Sequence, residues 1–169
     1  SQARVKSIAL IHEKLYRSPN STRVDFSQYV HDLVSDLFKT YGVNQEGIDV
    51  RTTVGDVFME IDTAVPCGLI INELVSNVLK HAFPDRRAGT VSISLTPIEA
   101  QTEPKTYVLT VADNGVGLPE DFDLTTCNSL GLKLVNDLTR QLNGTVNFEV
   151  DGGTRFTITF RELQYKERG

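Results

Sequence analysis

The chain has 169 residues, enough for one domain with a sizeable core and little beyond it. Hydrophobic residues at 40% and charged residues at 23% are the balance of an ordinary globular protein. The net charge of −5, with no long Lys/Arg run, argues against nucleic-acid binding, which needs a clustered basic surface. The longest apolar run, at 67–71, is far too short to cross a bilayer, so no membrane contact is expected. No signal peptide is visible, and the chain opens inside a helical pattern, as a piece of a longer protein would.

In chain order, Val5, Ile8, His12, Leu15 and Tyr16 recur at helical spacing and predict a helix over 4–16, broken by Ser18-Pro19-Asn20-Ser21. A second helix is expected over 27–41, with Ser27 as N-cap and Gly42 after its end. Two short strands follow at 48–54 and 57–61. A third helix is expected over 63–82, ended by Pro84. The second half alternates in period two. Val91, Ile93 and Leu95 face one way, as do Tyr107, Leu109 and Val111, then Val146, Phe148 and Val150, then Phe156, Ile158 and Phe160. A helix over 130–142 lies between these strands, and Asp151-Gly152-Gly153 reads as the hairpin turn joining the last two. The expected fold is α+β: a two-layer α/β sandwich with a mostly antiparallel mixed sheet and helices on one face. Cys67 and Cys127 form no Cys-x-x-Cys unit and the histidines are scattered. No structural zinc site is expected, and a reducing compartment, the cytoplasm, is.

The third helix carries the first chemical signal. Ile71, Leu74, Val75, Val78 and Ala82 make its apolar stripe, and Glu73, Asn77, Lys80 and His81 fall opposite within roughly 100°. A solvated amphipathic face is the ordinary reading of such a pattern. Asparagine, however, is a poor mid-helix residue with no cap role there, which suggests that Asn77 is kept for its carbonyl oxygen. A hard cation such as Mg²⁺ takes that kind of ligand beside phosphate oxygens and water. Lys80, one turn on, could neutralise a phosphate. The second signal is Asp113-Asn114-Gly115-Val116-Gly117 after a strand. It is an ordinary turn, or a place where the backbone approaches a ligand and a carboxylate accepts a hydrogen bond from an amine such as adenine's. The third is Ser129-Leu130-Gly131-Leu132 at a helix start, where exposed N–H groups can face an anion. The fourth is Gly152-Gly153-Thr154. No P-loop string and no Gly-x-Gly-x-x-Gly string is present.

In this order, Glu73…Asn77…Lys80-His81, Asp113-x-Gly115-x-Gly117, Leu130-Gly131-Leu132 and Gly153-Thr154 resemble the Bergerat-type ATP site. Histidine kinases, gyrase-type topoisomerases, mismatch-repair ATPases and certain chaperones share that fold. The resemblance covers roughly residues 57–160 and is nearest to histidine kinases. Pro66-Cys67-Gly68-Leu69-Ile70-Ile71-Asn72-Glu73-Leu74 and the helix containing Ile11-His12-Glu13-Lys14-Leu15-Tyr16 carry the likeness. It implies a truncated dimerisation helix over 1–20 and a catalytic ATP-binding domain over 21–169. It also implies ATP and Mg²⁺ as cofactors, a homodimeric intact protein and a response regulator as partner. Asn77 would coordinate Mg²⁺, Lys80 and His81 would meet phosphates, and Asp113 would bind the adenine amine. Gly115 and Gly117 would shape the pocket, Leu130, Gly131 and Leu132 would line the nucleotide, and Thr154 would support the base. Glu73 stands where hydrolysing relatives keep a general base, so Glu73 and Lys80 are the catalytic candidates. The lid would run over 118–129, and Asn128 departs from a usual glycine.

Phosphoryl transfer mainly needs positioning and charge stabilisation, plus an acceptor imidazole. His12 lies on the apolar stripe with Ile8 and Leu15 and is expected to pack in a helix bundle, and His31 reads as a surface residue. The acceptor is therefore expected outside this chain. The alternatives are a Bergerat-fold ATPase using Glu73 on water, and a degenerate kinase acting as a binding module.

Overall fold

The computed structural model describes residues 23–41, 47–83, 88–98, 105–118, 122–123 and 129–162, together with Ala9. The expectations for the 4–16 helix beyond Ala9, for His12, for Gly42, for the stop at Pro84 and for Asn128 lie outside the described residues. In chain order the elements are β1 (Arg23–Asp25), α1 (Phe26–Tyr41), β2 (Ile48–Val54), β3 (Phe58–Glu60), α2 (Ile61–Asn77) running on into a π-helical turn (Val78–Ala82), β4 (Gly89–Ile98), β5 (Thr106–Asp113), α3 (Leu130–Gln141), β6 (Thr145–Val150) and β7 (Thr154–Arg161). The main sheet has five strands in the order β2-β4-β5-β7-β6. It is parallel at β2–β4 and antiparallel elsewhere, with β1 and β3 in a separate two-stranded ribbon. This is the expected α+β sandwich. Strand β1 was not foreseen, because its three residues carry too little alternation to register as a period.

The helix starts follow local hydrogen bonding. Asp25 Oδ1 accepts from the Gln28 backbone N–H at 3.3 Å, so α1 begins at Phe26 and its cap lies ahead of Ser27. Ser129 Oγ accepts from Leu132 N–H at 3.3 Å and caps α3 in the same way. At the other end of α3, Asn143 takes φ 54°, a left-handed stop that asparagine tolerates. α1 buries Phe26, Tyr29, Val30, Leu33, Val34 and Leu37 along one stripe.

α2 differs from its amphipathic reading. It lies between α1 and α3 and also touches β3 and β5, so it is covered on nearly every side. Glu73 is only 5% exposed, and Asn72 and Ser76 are buried too. The expected polar face opens only at its end, where Asn77 is half-buried and Lys80 and His81 are exposed. A helix period tells which residues share a face and leaves open what packs on that face.

Register carries the inner face of the sheet into the site. Ile93, Val111 and Phe156 share a row, as do Leu95, Leu109 and Ile158, and all are buried beneath the helices. Serines and threonines occupy the alternate, outer positions, as in Ser92, Ser94, Thr110, Thr157 and Thr159. One row beyond Val111 and Phe156 stand Val91, Asp113 and Thr154. Parity therefore points a carboxylate and a hydroxyl to the helix side at the ends of two central strands. Among the described residues, no helix is long and apolar enough to cross a membrane.

Candidate functional site

A cavity of about 300 Å³ opens where the end of α2, the ends of β5 and β7 and the start of α3 meet. Leu74, Val78, Ala82, Leu118, Leu132 and Phe156 supply apolar walls. Asn77, His81, Asp113, Ser129 and Thr154 supply the polar groups, and Gly117 completes the lining. An apolar cleft with a few convergent polar groups suits a flat heterocycle that must be both buried and recognised.

Asp113 is the fixed point. Its Oδ1 accepts from Gly115 N–H at 2.9 Å, and the Thr154 backbone N–H also bonds to the carboxylate. Burial lifts its pKa above the ordinary aspartate value, and those two hydrogen bonds pull the other way without cancelling the rise. The carboxylate is thus held by backbone donors at the cavity wall, with accepting capacity left for a ligand.

The loop after Asp113 is tied to its neighbours residue by residue. Asn114 Oδ1 accepts from Thr90 N–H at 2.7 Å, and Asn114 N–H donates to Thr90 O at 3.3 Å. Val116 N–H donates to Ala82 O at 2.9 Å. That carbonyl is left for the loop because the helix, after a π turn over Val78–Ala82, ends there, and the last carbonyls of a helix have no partner within it. A Cβ on Gly115 would overlap Ala82 O, so only glycine lets the loop seat on the helix end. Gly153 has φ +134°, and a Cβ there would overlap Asp113 O. The β6–β7 hairpin therefore closes directly onto the aspartate's backbone.

Of the residues singled out from sequence, Asn77, His81, Asp113, Gly117, Leu132 and Thr154 meet at the cavity. Gly115 is not in the lining and packs against Ala82, which is. Gly131 is buried in the first turn of α3, and Leu130 beside it is 67% exposed; neither lines the cavity. Glu73 is buried one helical turn before Asn77 and is not part of the lining. Lys80 is exposed and also absent from the lining; its Nζ stands 5.2 Å from the centre of the Tyr41 ring. Sequence reasoning took Ser129 as part of a motif and Leu118 as the start of the lid, gave neither a contact of its own, and did not name Leu74, Val78, Ala82 or Phe156 as site residues. Phe156 was within reach, since it follows Thr154 on the same strand face. Of the expected lid, Leu118, Phe122, Asp123 and Ser129 are described, and Phe122 meets Phe148 edge-on with centroids 5.2 Å apart.

Comparison with known proteins agrees with this geometry. A family model described as "Histidine kinase-, DNA gyrase B-, and HSP90-like ATPase" matches residues 63–164, and one described as "Histidine kinase" matches residues 1–41. Blue-light-activated histidine kinase 2 of Erythrobacter litoralis is 27% identical over 155 residues, covering 89% of this chain and 43% of that protein. The sensor histidine kinase PdtaS of Mycobacterium tuberculosis is 32% identical over 155 residues, covering 90% of this chain and 28% of that protein. The chain thus spans less than half the length of these relatives. The solved histidine kinase domain of the Erythrobacter litoralis EL346 blue-light-activated histidine kinase superposes with a TM-score of 0.80 at 25% identity, covering 94% of this chain and 73% of that one. With the cavity, its aspartate and the ordered motifs all inside the matched span, this chain belongs to the histidine kinase-, DNA gyrase B- and HSP90-like ATPase family, as the ATP-binding domain of a sensor histidine kinase.

Proposed function

We propose that this domain binds Mg²⁺-ATP in the cavity at Asp113 and presents the γ-phosphoryl group to a histidine outside the chain, for relay to a response regulator. The observation that carries this reading is the Asp113 carboxylate, fixed by the Gly115 and Thr154 N–H groups beside apolar walls. It would accept the exocyclic amine of adenine, while Leu74, Val78 and Phe156 enclose the ring and Thr154 supports it. Asn77 offers a neutral amide oxygen at the cavity rim, a fitting donor for a hard cation that takes its other ligands from phosphate and water. Mg²⁺ held there would neutralise phosphate charge. His81 lies beside Asn77 on the lining and is assigned to the phosphates, together with Lys80 and the Leu130–Leu132 turn. In the transfer, the bond from γ-phosphorus to the bridging oxygen breaks, ADP leaves with that electron pair, and a nitrogen–phosphorus bond forms on the acceptor imidazole.

The chain divides, on this proposal, into a piece of a dimerisation helix at 1–20 and the ATP-binding domain at 21–169. The burial of α1 against α2 supports assigning α1 to the domain, although the match to residues 1–41 crosses that boundary. The intact protein is proposed to be a homodimer working in the cytoplasm, where ATP and a response regulator are at hand. The rival in which Glu73 activates water for hydrolysis is disfavoured, because Glu73 is buried and does not line the cavity.

Calorimetric titration with Mg²⁺-ADP tests the site. Micromolar-range binding, about −8 kcal/mol, is expected for ADP and not for GDP. Asp113→Ala should weaken it at least ten-fold, since a hydrogen bond to a charged group is worth about 1.5–3 kcal/mol. A longer chain carrying the preceding helices should gain acid-labile phosphate from ATP. Release of free phosphate without phosphoprotein would overturn the kinase reading in favour of hydrolysis.

A further inference from the structure

The end of α2 sends neighbouring side chains in two directions. Asn77 and His81 line the cavity, while Lys80 between them turns toward α1. Its ammonium lies 5.2 Å from the centre of the ring of Tyr41, the last residue of α1. That is within the roughly 6 Å at which a ring face attracts a cation. The pair is solvent-accessible, with Lys80 exposed and Tyr41 half-buried, so the attraction is weak. A phosphate carries full negative charge and is the stronger partner for a lysine on a flexible four-carbon stem.

We infer that Tyr41 is a positioning residue, which holds Lys80 off the phosphate subsite until a nucleotide's terminal phosphates draw the ammonium away from the ring. The inference rests on the nucleotide reading of the cavity and deepens it. Occupancy of the site is then coupled to the C-terminal end of α1 through one side chain. By the reciprocity of linked equilibria, whatever loosens Tyr41 from Lys80 tightens the grip on phosphate.

Calorimetry of the 169-residue chain with Mg²⁺-ADP and with adenosine separates the two ideas. Tyr41→Leu should bind ADP about two- to five-fold tighter, the size expected for losing an exposed cation–ring contact. Adenosine affinity should not change, because adenosine has no phosphate. Tyr41→Phe keeps the ring and should behave as wild type. In a Lys80→Met background, Tyr41→Leu should have no effect. Unchanged or weaker ADP binding by Tyr41→Leu, or an effect that survives Lys80→Met, overturns the inference alone. A wild-type chain that binds neither ADP nor adenosine overturns the nucleotide reading and this inference with it. Should Tyr41→Leu not fold, the wild type suffices. The ε-methylene protons of Lys80 should resonate upfield under the ring current and move toward the ordinary lysine position with ADP but not adenosine. A resonance unshifted in the free chain, or unmoved by saturating ADP, refutes the competition.

Discussion

At Asp113, burial works against ionisation. Burial raises the carboxyl's native pKa above its unfolded value. Such a group favours the folded state below the ordinary aspartate range and loses that contribution as pH rises through the raised native value. Once ionised, the carboxylate is therefore less favourable in the folded chain than in the unfolded one. Asp113→Asn keeps one oxygen to accept from the Gly115 and Thr154 N–H groups and removes the charge. Its urea midpoint at pH 7 should equal or exceed that of the wild type, and the wild type should gain relative to it as pH falls to the ordinary aspartate range. The same variant should bind ADP at least ten-fold more weakly, since its amide N–H would face the adenine amine donor to donor. The hairpin glycines make a second contrast. Gly152 has φ +60° with nothing within 4 Å of a would-be Cβ, so Gly152→Ala should cost about 1–2 kcal/mol, the strain of the left-handed region alone. Gly153 has φ +134° and its Cβ would meet the Asp113 backbone, so Gly153→Ala should cost clearly more, about 3 kcal/mol, and loosen ADP binding as well. Thermal denaturation of the two variants side by side gives the order.

Between elements, the α1–α2 contact depends on one small residue. Gly68 stands directly under the Tyr29 ring and hydroxyl, leaving no room for a Cβ. The Tyr29 hydroxyl is buried and has no hydrogen-bond partner among the described residues, and burial, with Cys67 alongside, raises its pKa. An unpaired buried hydroxyl carries a desolvation cost that a phenyl ring does not. Tyr29→Phe should raise stability by about 1 kcal/mol in a denaturant titration. Gly68→Ala should lower it by about 1–3 kcal/mol through overpacking. In the double variant the cost should shrink, because the oxygen nearest the new methyl is gone, and that non-additivity is the sign of direct contact. The π turn at the end of α2 acts at the same scale. It ends at Ala82, whose carbonyl accepts from Val116 N–H and so joins the end of the helix to the loop after Asp113.

For the whole domain, nucleotide binding and stability are one equilibrium. A ligand at a hundred times its Kd stabilises the folded chain by about 2.7 kcal/mol. In a domain of this size that is a rise in Tm of about 5–10 °C. Mg²⁺-ADP should produce that shift in the wild type and little or none in Asp113→Ala, as differential scanning fluorimetry would show. A comparable shift with GDP would mean that the site reads phosphates and not the base.

Much of this was legible in the residues themselves. Period-two alternation marks β4 to β7, whose side chains must divide between a buried and a wet face whatever else the chain does. Pro and Gly punctuation separates the elements, and the order of the Asn77, Asp113, Gly131 and Thr154 motifs names the nucleotide fold, because each reflects a local backbone or ligand demand. Other features depend on partners distant in sequence. The edge strand β2 runs parallel to β4 because the chain crosses over through α2 between them. Glu73 is buried because α1 and α3 flank the central helix, which no helical period can disclose. Lys80 lies by Tyr41 and not in the cavity, a placement that depends on where the end of α1 packs. Local sequence sets each element's faces and turns, and only the packed structure decides what covers each face and where a long side chain comes to rest.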